Sequence, residues 1–189
     1  VPNDKTVLEA VYDIASLRTR IDRDSVSTAS GLWDWSFLLP VVDLDKIVSL
    51  HEGATPLIPA QRTGRALGLN HLYVKDESRN PTGSFKDRGA SVTLSKCNED
   101  GIIGVVVASS GNLAVSLATY ASVAGLPFCG FIRDDTAEAQ RLQCLATGQT
   151  FFVVEGGMLE GTRLAAEVSA RFGLFNAVQP YNAFRIEGK

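Results

Sequence analysis

The chain has 189 residues, of which 45% are hydrophobic and 21% charged, and its formal net charge is −3. This composition is typical of a globular domain, and the acidic balance removes the electrostatic attraction on which binding to nucleic acid or an anionic membrane depends. Three cysteines without a CxxC pair and only two histidines exclude the spacings of zinc sites. We therefore expect a protein of the reducing cytoplasm that binds no nucleic acid, no membrane and no metal.

The N-terminal part of the chain is predicted to be an arm. A weak apolar pattern of helical period covers residues 7–17, and residues 22–31 are rich in Ser, Thr and Asp, which is typical of a loop. An apolar segment containing Trp33 and Trp35 follows. We predict that residues 1–50 form an arm that docks on a larger body, with the two tryptophans as packing anchors.

From residue 71 onward, predicted strands and helices alternate. The apolar, β-branched run over 102–108 indicates a strand that is buried on both faces. Such alternation predicts an α/β fold, in which a parallel sheet carries helices on both faces. The predicted strands are 71–75, 102–108, 127–132, 150–154 and 174–177, and the predicted helices are 84–98, 112–124, 136–147 and 158–172.

The turn after the most buried predicted strand is a candidate binding site. It contains Ser109, Ser110, Gly111 and Asn112 and opens a helix. Ligands of open parallel sheets collect at the carboxyl ends of the strands, where helix N-termini attract anions. Ser and Asn are also ordinary helix caps, so the turn by itself is compatible with a binding role and with a purely structural one.

Lys86 is a candidate nucleophile. It lies in the first turn of a predicted helix, where the helix dipole and the nearby Arg88 should lower the pKa of its amine. A lysine that forms a Schiff base needs such an amine. The alternative is a solvated lysine that pairs with Asp87 or Glu77.

The sequence PTGSFKDRGA around Lys86 resembles the lysine motif of fold-type II pyridoxal-phosphate enzymes and is most similar to that of the threonine synthases. Five segments in the family's order are hard to obtain by chance, and the resemblance covers about residues 31–189. It implies a tryptophan synthase β-like fold and the cofactor pyridoxal 5'-phosphate. The matching segments are GLWDWSFLLP (31–40), EGATPL (52–57), VKDESRNPTGSFKDRG (74–89), ASSGN (108–112) and QPYNAFRIEG (179–188).

The resemblance implies cofactor-binding residues and a reaction. Lys86 matches the lysine that holds pyridoxal phosphate covalently and then transfers protons, and Phe85 lies beside it. Asn112 matches the residue that contacts the hydroxyl of the cofactor ring. The implied reaction converts O-phosphohomoserine and water to threonine and phosphate.

The resemblance also implies residues that bind the amino-acid substrate. Ser109, Ser110 and Gly111 match the turn that holds the substrate carboxylate. Asn182 and Arg185 match positions that help to bind the substrate phosphate, for which the planar guanidinium of arginine is well suited.

Two departures from the family pattern leave other functions open. Leu113 replaces a small residue or Thr, and Ala183 replaces the usual Pro beside Asn182. The alternatives are another fold-type II enzyme, such as a serine/threonine dehydratase or a phosphoserine-using synthase, and a non-catalytic fragment that acts as a binding module.

The order of the motifs predicts how the chain is divided. We expect residues 51–76 to begin the larger cofactor domain, 77–178 to form the smaller α/β domain, and 179–189 to return to the larger one. We also expect the chain to stop where the family's second half begins, which leaves the cofactor-phosphate loop outside it. The isolated chain should then bind the cofactor weakly, and the full-length protein should be a homodimer.

Several other features have simpler interpretations. Gly156-Gly157 is predicted to be a tight strand–helix turn rather than a phosphate loop, and Asp134-Asp135 a helix cap rather than a metal site. The three cysteines lie in apolar sequence and are predicted to be buried, unreactive thiols.

Overall fold

The structure, a computed structural model, describes residues 10–22, 24, 30–178 and 182–189. The strands in chain order are β1 (Leu57–Pro59), β2 (Tyr73–Lys75), β3 (Val105–Ala108), β4 (Phe128–Arg133), β5 (Thr150–Val154) and β6 (Phe175–Asn176). The α-helices are α1 (Ile14–Leu17), α2 (Gln61–Ala66), α3 (Lys86–Glu99), α4 (Asn112–Ala124), α5 (Glu138–Ala146), α6 (Gly157–Phe172) and α7 (Ala183–Gly188). Short 3₁₀ helices occupy Trp33–Leu38, Leu44–Lys46 and Glu77–Arg79.

A parallel four-stranded sheet of order β5-β4-β3-β6 organises the fold, while β1 and β2 form a separate antiparallel pair. The crossovers from β3 to β4 and from β4 to β5 step in one direction, and the crossover from β5 returns past β3 to β6. Because such crossovers are right-handed, α4 and α5 lie on one face of the sheet and α6 on the other. The predicted α/β fold with helices on both faces is confirmed.

The centre of the hydrophobic core is β3. Val105, Val106 and Val107 are completely buried, and successive residues of a strand point to opposite faces, so both faces of this strand are covered. On the α6 face, a Cβ added to Gly161 would lie 3.5 Å from the Cβ of Ala108, which is an ordinary van der Waals contact. The β-branched run therefore forms the strand because it can bury both of its faces.

Helix α3 packs against α4 on one side and against the short helix α7 on another. Two glycines permit the second contact. A Cβ added to Gly89 would lie 2.7 Å from the carbonyl oxygen of Arg185, and one added to Gly188 would lie 2.6 Å from that of Arg88. Any larger residue at either position would push α3 and α7 apart.

Trp33 and Tyr12 are among the residues through which the N-terminal segment docks on this body. The indole Nε1 of Trp33 lies 2.9 Å from Oε1 of Glu52 and 2.8 Å from Oγ of Ser91 on α3. Tyr12 donates its hydroxyl hydrogen to Oε2 of Glu187 on α7, over 2.6 Å. Trp33 is thus an anchor, as predicted, although it acts through a polar group as well as through packing.

Most predicted elements are present, with shifted ends. Helix α4 and strand β5 have the predicted bounds. Helix α3 begins at Lys86 rather than at residue 84, because Oγ of Ser84 accepts the backbone N–H of Lys86 ahead of the helix. Strand β3 begins at 105 rather than 102, since the N–H of Ile102 donates to the carbonyl oxygen of Cys97 and closes the preceding helix instead.

The sequence patterns miss β1 and α2 and overextend the first helix. Of the predicted helical stretch 7–17, only Ile14–Leu17 is helical, and residues 7–9 lie outside the described ranges. The predicted loop 22–31 is likewise described only in part, and the segment 179–188 only from Asn182 onward.

Candidate functional site

The candidate site lies where the strand order of the sheet reverses. Strands β3 and β6 are parallel neighbours, so the loops that follow them leave from the same edge. One loop enters α4 and the other leads to α7, and a crevice between two such loops is where open α/β sheets bind ligands. The fold therefore places positions 109–112 at this edge of the sheet, while positions 182–185 lie against α3.

The turn between β3 and α4 is held by its serines and leaves the helix end open. The N–H of Ser109 donates to the carbonyl oxygen of Phe131 over 3.0 Å, and Oγ of Ser110 accepts the N–H of Arg133 over 2.8 Å. No side chain in the described ranges caps α4, and a Cβ on Gly111 would meet open space. The first N–H groups of the helix are therefore available to an anion, which favours the binding role over the capping role.

Lys86 opens α3 and sits among other cations. Its Nζ lies 3.8 Å from the centroid of the Phe85 ring, and Nζ of Lys189 lies 5.8 Å from the same centroid. Burial of the amine, followed by the positive charges of Lys189 and Arg185, lowers the pKa of Lys86 below its ordinary value. The predicted direction is correct, but its causes are burial and these two cations rather than Arg88.

The carboxylates that might have paired with Lys86 are engaged elsewhere. Asp87 is completely buried. It accepts hydrogen bonds from the backbone N–H of Thr82 over 2.7 Å, from the Thr82 hydroxyl over 2.5 Å and from the Ser116 hydroxyl over 2.5 Å. Glu77 is occupied by Arg88. The alternative of a Lys86 that pairs with Asp87 or Glu77 is therefore wrong.

The ion pair of Arg88 and Glu77 joins the EGATPL segment to the lysine segment. Thr55 donates its hydroxyl to Oε1 of Glu77 over 2.6 Å, and Asn80 donates its amide to Oε2 over 3.0 Å. Asn80 in turn accepts the backbone N–H of Gly53 over 3.0 Å. Hydrogen bonding from Arg88 is the largest of the effects that lower the pKa of Glu77 to about 2.

Glu52, which the sequence analysis did not single out, is a second buried carboxylate near the lysine segment. It is 1% exposed, accepts the hydroxyl of Tyr120 over 2.6 Å and the N–H of Leu50 over 3.0 Å. The neighbouring His51 and Ala54 have positive φ angles of 63° and 45°, a conformation that costs energy in residues with a side chain. The polar network around Glu52 holds this strained loop in place.

Asn182 and Arg185 lie on and just before α7, against α3. Asn182 is completely buried, and its Oδ1 accepts the backbone N–H of Arg185 over 3.1 Å, which caps the helix. Its amide also lies 3.1 Å from Oγ1 of Thr93. Arg185 is 4% exposed, and burial lowers its pKa. Asn182 thus positions α7, and Arg185 is the member of the pair that contributes charge near Lys86.

The remaining sequence features are structural. Gly156 and Gly157 have φ angles of 103° and 81° and form the predicted tight turn before α6. The predicted helix cap at Asp134-Asp135 is wrong, because Asp135 pairs with Arg133 and no described side chain caps α5. In the described ranges no three His, Cys, Asp or Glu side chains gather as metal ligands would.

The cysteines behave as buried thiols. Cys97 and Cys144 are 2% exposed, and burial raises their pKa values to about 12 and about 11. Cys129 is partly buried and its pKa is raised for the same reason.

None of the helices in the described part of the chain combines the length and apolar character needed to span a bilayer.

Comparison with known proteins identifies the family. The model of the pyridoxal-phosphate dependent enzymes matches residues 48–189. The chain belongs to this family. Members of the family depend on pyridoxal phosphate as their cofactor.

Curated relatives of the pyridoxal-phosphate family confirm the resemblance read from the motifs. The threonine synthase of Methanocaldococcus jannaschii is 34% identical over 185 residues, which are 97% of this chain and 45% of the relative. Threonine synthase of Synechocystis is 37% identical over 155 residues, or 80% of this chain and 40% of the relative. The chain thus spans less than half the length of the curated relatives that it matches.

Solved structures of pyridoxal-phosphate enzymes share the fold. An O-ureido-L-serine synthase is 30% identical and matches with a TM-score of 0.59 over 73% of this chain and 44% of its own. Escherichia coli diaminopropionate ammonia lyase, at 17% identity, matches with a TM-score of 0.67 over 75% of this chain and 46% of its own. The second likeness concerns the fold alone.

The residues present fit the family's cofactor. An aldehyde condenses with an unprotonated amine, and the lowered pKa of Lys86 increases the share of that form. The open N-terminus of α4 and the nearby cations suit a ligand that carries negative groups. These features are compatible with the binding of an aldehyde that carries a phosphate.

Proposed function

We propose that this chain belongs to a pyridoxal-phosphate enzyme of the threonine synthase type, which converts O-phosphohomoserine and water to threonine and phosphate. The observation that carries the proposal is the amine of Lys86. It is half-buried, its pKa is lowered by burial and by two cations, and it opens the helix beside the anion-ready turn of the sheet edge.

Lys86 is the residue that holds the cofactor and moves the proton. Bound pyridoxal phosphate supplies an aldehyde that condenses with amines and a ring that accepts the electron pair left when a proton is removed. If the substrate amine displaced Lys86 from the cofactor, the freed Nζ would be the base that takes the proton from the α-carbon, and its lowered pKa would increase the share of the unprotonated form. The ring of Phe85 lies 3.8 Å from this amine, and Asn112 would contact the ring hydroxyl of the bound cofactor.

The substrate is held at its two negative ends. Ser109, Ser110 and Gly111 present the open N-terminus of α4 to the carboxylate. Arg185 binds the phosphate through its guanidinium, and Asn182 contributes by capping the helix that carries it. The cluster of Arg185 with Lys86 and Lys189 supports a substrate with an additional anionic group, which favours a phosphorylated amino acid over serine or threonine.

We further infer that residues 51–76 and 179–189 belong to a larger domain and 77–178 to a smaller one. The apolar side chains of β1 and β2 support this division, since Leu57, Tyr73 and Val74 are more than half exposed and can be covered by further strands. The family resemblance supports a cytoplasmic homodimer as the complete enzyme.

Borohydride trapping tests the proposal on the full-length protein. Reduction in the presence of pyridoxal phosphate should attach the cofactor to the peptide that contains Lys86, as read by mass spectrometry. Lys86→Ala should abolish both the attachment and the release of phosphate from O-phosphohomoserine. Lys46→Ala, at an exposed lysine, should leave both unchanged.

Three results would overturn the proposal. Attachment at another lysine, or parental turnover by the Lys86→Ala protein, would remove Lys86 from the mechanism. Release of ammonia from serine or threonine in place of phosphate from O-phosphohomoserine would identify a dehydratase instead.

A further inference from the structure

We propose that Asp87 and Ser116 are positioning residues, whose buried hydrogen bond fixes the helix that carries Lys86 against the helix that begins at Asn112. The inference rests on the proposed function, because it concerns the alignment of the proposed cofactor lysine with the proposed ring-binding asparagine. Nothing in the family resemblance assigns a role to either Asp87 or Ser116.

The bond lies close to both functional ends. Oδ1 of Asp87 accepts the hydroxyl of Ser116 over 2.5 Å, and both residues are completely buried. Asp87 directly follows Lys86 on α3. Ser116 is four residues after Asn112 on α4, so the two side chains lie on the same face of that helix, one turn apart. In the described ranges Lys86 itself makes no hydrogen bond or ion pair with residues 109–112, and the Asp87–Ser116 bond connects the two segments.

The same carboxylate also holds the turn in front of the lysine. Oδ2 of Asp87 accepts the N–H of Thr82 over 2.7 Å, and Oδ1 accepts the Thr82 hydroxyl over 2.5 Å. Asp87 therefore joins three parts of the site: the turn around Thr82, the first turn of α3, and α4.

These contacts indicate a positional role because a buried carboxylate is costly unless its oxygens are well hydrogen-bonded. Three donors meet Asp87 in this structure, and two of them are hydroxyls that converge on one oxygen. Loss of one hydroxyl leaves the carboxylate of Asp87 with one hydrogen-bond donor fewer. We expect α3 and α4 to shift relative to each other, because such a shift lets the carboxylate find other donors. A displacement of about 1 Å in a catalytic site can lower the rate about a hundredfold.

Ser116→Ala in the full-length protein tests the role, with Ser95→Ala as the matched control. Ser95 is also a completely buried serine, and its hydroxyl accepts the N–H of Val48 over 2.8 Å, but it lies nine residues from Lys86 along α3. A purely structural serine should lower the urea midpoint and nothing else. We expect both variants to lose stability, and only Ser116→Ala to change the site.

The decisive readouts are independent of turnover. For Ser116→Ala we expect borohydride-trappable cofactor to attach to Lys86 about tenfold more slowly, and the pH midpoint of the bound cofactor's absorption to shift. We also expect kcat to fall about tenfold while KM for O-phosphohomoserine stays within about twofold, because Arg185 is untouched. Ser95→Ala should keep the parental attachment rate, absorption midpoint and kcat.

A second variant tests the same role in case Ser116→Ala does not fold. Thr82→Val keeps the shape of the side chain, removes the other hydroxyl donor to Asp87 and alters a residue that is not fully buried. It should change the absorption midpoint and attachment rate in the same direction as Ser116→Ala.

The outcomes separate this inference from the proposed function. If the parent protein attaches no cofactor to Lys86, the proposed function fails. If the parent attaches it and both Ser116→Ala and Thr82→Val match Ser95→Ala in attachment rate and absorption, the positioning role is refuted and the function stands.

Discussion

Arg88 and Glu77 form a two-point ion pair in which Nε and Nη2 of the guanidinium each lie 2.8 Å from a carboxylate oxygen. Glu77 precedes Lys86 in the chain and Arg88 follows it. The pair therefore closes the intervening segment into a loop that carries Lys86, and Thr55 attaches that loop to the EGATPL segment. Paired hydrogen bonds between charged groups of this kind are stronger and more directional than single ones.

Neutralising the carboxylate of this pair should destabilise the fold. Glu77→Gln leaves the half-buried guanidinium of Arg88 without its charge partner, and we expect the free energy of unfolding to fall by about 2 kcal/mol in urea denaturation. Glu160→Gln is the control, because the pair of Glu160 with Arg163 is 37–53% exposed and should contribute much less to the free energy of unfolding. Equal losses for the two variants would contradict the structural importance of the Arg88 pair.

The same pair should make the free energy of unfolding depend on pH in the acidic range. Its contacts lower the pKa of Glu77 to about 2 in the folded protein, from an ordinary value of 4.5. A carboxylate whose pKa is lower when folded stabilises the protein above the ordinary value, and this stabilisation is lost as pH falls through the folded value. Between pH 4.5 and 2, the unfolding free energy of the parent should therefore fall more steeply than that of Glu77→Gln. Parallel pH profiles would show that Glu77 does not contribute in this range.

The close contact of α3 with α7 makes a second prediction. Gly89→Ala would place a methyl group 2.7 Å from a backbone oxygen of Arg185, so the helices must separate, at a cost of about 1–3 kcal/mol by thermal or urea unfolding. Gly161→Ala is a matched control within another helix, because its methyl group would meet Ala108 at an ordinary 3.5 Å. We expect that control to be neutral or slightly stabilising, since alanine favours helix. A Gly89→Ala protein as stable as Gly161→Ala would disprove the close approach.

Arg185 should determine the preference for a phosphorylated substrate. In the full-length protein we expect Arg185→Ala to raise KM for O-phosphohomoserine at least tenfold. The inhibition constant of homoserine should rise by less than about twofold. Arg185→Lys keeps the charge but loses the bidentate geometry and should fall between the parent and Arg185→Ala. Equal effects of Arg185→Ala on both compounds would argue against phosphate binding by this residue.

The regular part of the fold was predictable because local signals agree with the tertiary environment there. Helix α4 has the expected bounds, since it follows the buried run of β3 and ends at Gly125, which adopts a left-handed φ of 67°. Strand β1 was missed because it has only three residues and includes Pro59, and all three are exposed. A strand of that kind has no alternation of apolar and polar residues from which it could be predicted.

The candidate site was predictable where a residue acts through its type and local position, as Lys86 does at a helix start. Asp87 was not, because a charged residue between Lys86 and Arg88 looks like one of a solvated group of charges. Its burial depends on Thr82 and on Ser116, and the second of these is 29 positions away. Glu52 is concealed in the same way, since its partner Tyr120 is 68 positions away. Long-range hydrogen bonds of this type leave no periodicity in the sequence.

The hydrogen bond from Tyr12 to Glu187 spans 175 positions of the chain. During synthesis on the ribosome, Tyr12 emerges long before Glu187 exists, so this contact cannot form until α7 has been made. The sheet and its covering helices use contacts of much shorter separation and can assemble earlier. The segment around Tyr12 consequently reaches its final position late, when it joins the helix that carries Arg185.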